Sequence, residues 1–166
     1  MYTKQNSCCF TGHRFLPADG LSEISAMLEN EIIGLAKNGC LRFLAGGALG
    51  FDTLAAQTVL RLKSRFPDIR LSLVLPCLNQ AERWRPADIA VYNEIKENAD
   101  TVIYTSESYY RGCMHVRNRR LVDESRYCIC YLAKESGGTA FTVNYAKQQG
   151  LEIINLYGAS NRGQGV

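Results

Sequence analysis

The stretch LRFLAGGALGFDTLAAQTVLRLKSRF, residues 41–66, carries one complete structural unit. Its apolar run 41–45 halts at Gly46-Gly47, and an Ala- and Leu-rich segment, 52–66, then continues until Pro67. A short apolar run closed by glycines reads as a buried strand, and a longer one closed by proline as a helix. The same unit recurs on both sides. Upstream, the run 7–11 ends at Gly12, and 21–37 places Leu21, Ile24, Leu28, Ile32 and Leu35 at helical spacing before Asn38-Gly39 stops it. Downstream follow a strand 69–75, a helix 88–98, a strand 101–104, a helix 114–124, a strand 127–132, a helix 139–149 and a strand 152–156. Strands that alternate with helices of this length need crossover connections, which put helices on both faces of a buried sheet. The prediction is a single Rossmann-like, three-layer α/β domain over residues 1–157, with a mostly parallel sheet of about six strands. A glycine-containing tail, 158–166, is read as flexible.

Composition narrows the function. The chain has 166 residues and 46% hydrophobic content, enough for one buried core. Nineteen Lys and Arg against 16 Asp and Glu leave a net charge of +3, which is weak for a nucleic-acid binder driven by charge. Apolar runs are far shorter than the roughly 20 residues of a membrane helix. The seven cysteines are odd in number, have no framework spacing and follow no signal-peptide pattern. Reduced thiols, a cytoplasmic location and no membrane contact are therefore expected.

Ligands of open parallel sheets bind beyond the carboxyl ends of the strands, so residues that follow each strand are the candidates. Thr11, Gly12, His13 and Arg14 follow the first strand and combine a hydroxyl, an approachable backbone and two basic groups. Gly46, Gly47, Gly50 and Asp52 form a glycine-rich turn into a helix, where backbone N–H groups and the helix dipole can face an anion. This turn is neither a Gly-x-Gly-x-x-Gly fingerprint after the first strand nor a Walker loop. A second turn of the same kind, Ser136-Gly137-Gly138-Thr139, opens the last helix, with Thr142 one turn further on. Two such turns on one sheet edge suit phosphate better than either alone. The helix before the fifth strand starts with Met114, Arg117 and Asn118, and Arg117, Arg120 and Asp123 recur at three-residue spacing, roughly on one face. An arginine there can fork onto phosphate or carboxylate. Cys8-Cys9 with His13, and Cys113 with His115, lack metal-ligand spacing, so no metal site is expected. Cys128 and Cys130 share one strand face and read as small core residues.

Taken together, Cys9-Phe10-Thr11-Gly12-His13-Arg14, the 46–52 turn, Gly112-Cys113-Met114 with Arg117-Asn118-Arg119 and Leu121-Val122-Asp123, and Ser136-Gly137-Gly138-Thr139 with Tyr145-Ala146 resemble the YpsA-like proteins of the SLOG superfamily. The match runs in order from about residue 8 to residue 156. The resemblance implies a Rossmann-like fold, homo-oligomers, and relatives that include Lonely-guy phosphoribohydrolases, molybdenum-cofactor carrier proteins and DNA-processing protein A. It implies binding of nucleotides, ADP-ribose-like molecules or nucleic acid. The hydrolases' Met-His-x-Arg segment looks like Met114-His115-Val116-Arg117, which makes Arg117 the counterpart of their catalytic arginine. With the threonines of the glycine loop matched, Thr142 stands where those enzymes have their catalytic glutamate. A hydroxyl cannot replace a carboxylate that assists departure of a base from a ribosyl centre.

Three readings follow, in order of preference. The first is a module that senses or sequesters a nucleotide or ADP-ribose-type ligand, with no other cofactor. The second is an N-glycosidic hydrolase of nucleoside phosphates or NAD-like molecules, using Arg117 with Asp52 or Asp123 as carboxylate. The third is single-stranded nucleic-acid binding, suggested by the run 117–120 and by Trp84, Tyr109 and Tyr110.

Overall fold

A computed structural model describes residues 2–159. Six strands form one sheet: β1 (Ser7–Gly12), β2 (Arg42–Ala45), β3 (Arg70–Leu75), β4 (Thr101–Tyr104), β5 (Tyr127–Tyr131) and β6 (Glu152–Asn155). Their order is β4-β3-β2-β1-β5-β6, and every neighbouring pair is parallel. The five helices are α1 (Leu21–Lys37), α2 (Phe51–Leu62), α3 (Pro86–Asn98), α4 (Cys113–Asp123) and α5 (Gly138–Gln148). The three-layer α/β expectation thus holds, with a sheet that is parallel throughout. From β1 the chain steps outward through β2, β3 and β4, then returns to lay β5 on the other side of β1. That reversal makes the end of β1 the switch point of the sheet.

Alternation along the strands divides the core. Cys8, Phe10, Phe43, Ala45, Leu71, Leu73 and Leu75 face α1, α2 and α3, while Cys9, Leu44, Val74, Cys128 and Cys130 face α4 and α5. Sheets covered on both faces bury successive positions, which is why β3 is buried continuously from Leu71 to Leu75, with Ser72 the one polar residue in the run. Helix α1 buries Ile24, Leu28 and Ile32 from a single stripe, each worth about 1.5–3 kcal/mol. It ends where the Asn38 side-chain amide donates to the Gly34 carbonyl at 2.9 Å.

Many element ends shift by one or two residues, and one shifts by four. The helix expected over 52–66 stops at Leu62, and turns fill the remainder, because the residue before Pro67 is biased away from helical backbone. Of the expected flexible tail, Gly158 and Ala159 form a turn in which the Ala159 amide donates to the Leu156 carbonyl at 3.3 Å. The rest of it, 160–166, lies outside the described residues.

Candidate functional site

At the switch point lies a cleft of about 340 Å³, bounded by the end of β1, the start of α2, the first turns of α4 and the start of α5. It brings together Thr11, Gly12, His13, Arg14, Asp52, Met114, Arg117, Asn118, Gly138 and Thr139, which the sequence had placed on four separate segments.

Arg117 forms its floor. The side chain is 5% exposed, and three neighbours fix its plane. Nη1 donates to the Gly46 carbonyl, Nε donates to Asn118 Oδ1 at 2.7 Å, and Nη2 meets the Met114 sulfur at 3.7 Å. A thioether is a weak acceptor, so Nη2 keeps donor capacity. Asp52 is also buried, and among the described residues it is the one carboxylate lining the cleft. Its Oδ2 accepts from the Ala48 amide at 3.3 Å. Burial pushes the Asp52 carboxyl above its ordinary range, against the pull of Arg117, and burial likewise lowers the guanidinium's proton affinity against the pull of Asp52. No ion pair joins the two side chains among the described residues. The floor is therefore a buried cation that feels the Asp52 charge without ion-pair contact, a costly state.

The two glycine-rich turns differ. Gly50 has φ +77°, and any Cβ on it would collide with the Arg14 carbonyl; the next amide, Phe51 N–H, donates to the His13 carbonyl at 3.1 Å. A Cβ on Gly46 would sit 2.6 Å from Arg117 Nη1, and Gly47 abuts Leu75. These glycines let backbone segments pack, and the 46–50 turn does not present them to the cleft. Of the two turns expected to form a cradle, the 136–139 turn puts Gly138 and Thr139 in the lining of the cleft, and the 46–50 turn puts only Ala48 there. At the other turn, Gly138 meets nothing within 4 Å of a would-be Cβ. No side chain caps α5, and the amides of Gly138 and Thr139 belong to its first turn, where helix N–H groups lack intrahelical partners.

Other placements also correct the sequence reading. Thr142 is buried and its hydroxyl donates to the Gly138 carbonyl at 2.9 Å, so it does not reach the cleft. Ser136 and Gly137 are exposed outside its lining. The spacing of Arg117, Arg120 and Asp123 does not make a shared site, because a three-residue repeat drifts around a 3.6-residue helix. Arg120 pairs with Glu124 at 3.0 Å, and Asp123 accepts from the Tyr145 hydroxyl at 2.7 Å, at the far end of α4. His13 enters in an unforeseen role. Its Nε2 accepts from the Ala133 amide at 2.8 Å, tying the β1 loop to the β5 loop. Burial and then the nearby Lys134 charge hold the ring's proton affinity below the ordinary value.

A second cleft, about 610 Å³, adjoins the first through Arg14 and Met114. Its wall comes from the loops after β3 and β4. Trp84 is half-buried with its ring 5.3 Å from that of Tyr92. The sequence reading named Trp84 and Tyr109 from these loops but not Gln80, although the rule of inspecting every strand's carboxyl end reaches it.

An all-parallel, doubly covered sheet with a basic-floored cleft at its switch point defines a Rossmann-like α/β domain. The model of the YspA SLOG family matches residues 16–155, and the chain belongs to that family, as its motifs led us to expect. A UPF0398 protein of Halalkalibacterium halodurans is 31% identical over 133 residues, covering 78% of this chain and 70% of its own. In fold the chain is similar to DNA processing protein A of Helicobacter pylori, described with a single-stranded DNA binding mode, at TM-score 0.64 and 20% identity over 91% of this chain. It is also similar to DNA processing protein A of Streptococcus pneumoniae, at TM-score 0.67 and 20% identity over 90% of this chain. The alignments cover 64% and 50% of those two proteins, so the chain spans only part of their length. No helix among the described residues is long and apolar enough to cross a membrane.

Proposed function

We propose that the cleft at the end of β1 holds the phosphate of a nucleotide or ADP-ribose-type ligand, which the protein senses or sequesters. One observation carries this reading: the buried Arg117 guanidinium, with no counter-charge in contact, lies in the same cleft as the open start of α5. A phosphate placed between them gains charge-assisted hydrogen bonds from Nη2 and from backbone N–H groups at the positive end of a helix dipole. Exposed Arg14 adds a third positive group at the rim.

Binding without turnover is favoured over hydrolysis by the state of the carboxylates. Asp52 is buried and engaged by the Ala48 amide, while Asp123 lies at the far end of α4. Thr142 offers a hydroxyl that is already donated to a helix carbonyl.

Thermal denaturation with ribose 5-phosphate, AMP, ADP-ribose and NAD tests the reading, since a ligand at 100 times its Kd adds about 2.7 kcal/mol of apparent stability. Stabilisation by phosphate-bearing compounds, with chromatography showing no released base, is the expected result. Released base would move the conclusion to the hydrolase.

Single-stranded nucleic acid is the second reading, favoured by the fold shared with the Helicobacter pylori protein and by Arg14 and Arg83 lining the adjoining clefts. A gel shift at low salt, where electrostatic binding is strongest, should show a retarded species if it holds.

A further inference from the structure

We infer that the larger cleft is a base-binding slot, in which Trp84 and Tyr109 stack on the aromatic ring of the ligand and Gln80 reads its edge. The inference rests on the phosphate reading above and names the other half of the same ligand.

The two clefts are one continuous groove, because Arg14 and Met114 line both. At about 340 and 610 Å³ they together approach the upper end of the usual range for small-molecule sites. A bare phosphate would leave most of that space empty. A ligand with a charged part and a bulky part fills it, and the chemistry of the second cleft says what the bulky part is.

Trp84 is held from behind. Its ring meets that of Tyr92 edge to face, at 76° and 5.3 Å, and its backbone amide donates to the Ala81 carbonyl at 3.0 Å. Tyr109 contributes a second ring at the rim, 62% exposed. The loops that carry these rings are tied together, the Leu78 amide donating to the Glu107 carbonyl at 3.2 Å. Aromatic faces positioned beside a phosphate site are how proteins hold nucleobases without depending on base identity.

Gln80 supplies the second, independent observation. Its Oε1 accepts from the Tyr92 hydroxyl at 3.5 Å, and Tyr92 stays protonated because burial raises its proton affinity. That contact aims the amide, and Nε2 is buried with no hydrogen-bond partner among the described residues. A buried unpartnered donor is a standing cost to the free protein. Gln80 lines the slot, and a ring nitrogen or carbonyl on the edge of a stacked base, met by a small rotation of the amide, supplies the missing acceptor.

The chain's single tryptophan makes the test direct, since indole emission reports on this slot alone. AMP, adenosine and ribose 5-phosphate are titrated into the wild type, Tyr109→Ala and Gln80→Met, following Trp84 fluorescence and calorimetric affinity. In the wild type, AMP should quench Trp84 and bind about tenfold tighter than ribose 5-phosphate, which leaves the emission unchanged. Tyr109→Ala should remove most of that tenfold advantage and leave ribose 5-phosphate affinity as it was. Gln80→Met should weaken AMP while leaving ribose 5-phosphate affinity as it was, a selectivity that a merely structural glutamine would not give. Equal affinity for AMP and ribose 5-phosphate with unchanged emission overturns the slot but keeps the phosphate site. If neither phosphate compound binds, the phosphate reading falls, and adenosine decides the slot: quenching of Trp84 sustains it, and unchanged emission removes it.

Discussion

The Gly46 carbonyl accepts from Arg117 Nη1, and the missing side chain of Gly46 is what lets the guanidinium lie there: a Cβ would sit 2.6 Å from that nitrogen. A glycine at the end of β2 thus positions a cation delivered by α4, 71 residues away in sequence.

Gly46→Ala is therefore expected to displace Arg117 from the floor of the cleft. Overpacking of this kind costs about 1–3 kcal/mol, and the variant should also lose ligand-induced stabilisation. Denaturant unfolding with and without ADP-ribose measures both. A variant that keeps full ligand response would show that Arg117 is not held by this contact.

Gly138→Ala separates binding from folding. Its added methyl meets nothing within 4 Å, so the fold should be unharmed, or stabilised by about 0.4–1 kcal/mol through a stiffer unfolded chain. The methyl projects beside the amides proposed to hold phosphate, so AMP affinity should fall while the melting temperature does not. Unchanged affinity would remove the start of α5 from the site.

That contrast between two glycine turns marks the limit of what the sequence disclosed. Helix α1 has the bounds its apolar spacing predicts, because that spacing reports burial directly, and β4 has those of its strand-like run 101–104. The end of β1 and the first turn of α4 were equally legible as segments that line the cleft, since the carboxyl edge of a parallel sheet is where its clefts open. A glycine, by contrast, looks the same in a sequence whether it exposes an amide or makes room for a neighbour. Only the positions of Leu75, Arg14 and Arg117 show that the 46–50 turn does the latter. Gln80 escaped for a similar reason, because its significance lies in a donor left unpartnered by Tyr92, a residue on another element.

His13 should make stability depend on pH. Its Nε2 must be unprotonated to accept from the Ala133 amide, and its proton affinity in the fold lies below the ordinary 6.5. A base depressed in the folded state contributes fully above about pH 6.5 and loses that contribution as pH falls toward the folded value. His13→Gln keeps an acceptor that does not titrate. The wild type should therefore lose melting temperature more steeply than His13→Gln between pH 7 and 5, and parallel profiles would contradict the assignment.

All seven cysteines are buried and unpaired; burial raises the proton affinity of the Cys8, Cys40 and Cys77 thiols, Cys40 to about 12, and hydrogen bonds with Cys130 and Cys9 raise that of Cys128. Thiolates are the reactive form, so the native protein should be nearly inert to a thiol-specific chromogenic reagent. Unfolding in guanidinium should then release seven equivalents. Rapid reaction of the native protein would reveal an accessible thiol.

The central claim, that a phosphate-bearing ligand rests on Arg117, is tested most directly by calorimetric titration of ADP-ribose into the wild type and Arg117→Gln, each with its melting temperature recorded. Binding to the wild type and an affinity roughly tenfold or more lower in a folded variant is the result this account requires, the loss of one charge-assisted hydrogen bond. Equal affinity in the two proteins, or no heat of binding in the wild type, would contradict it.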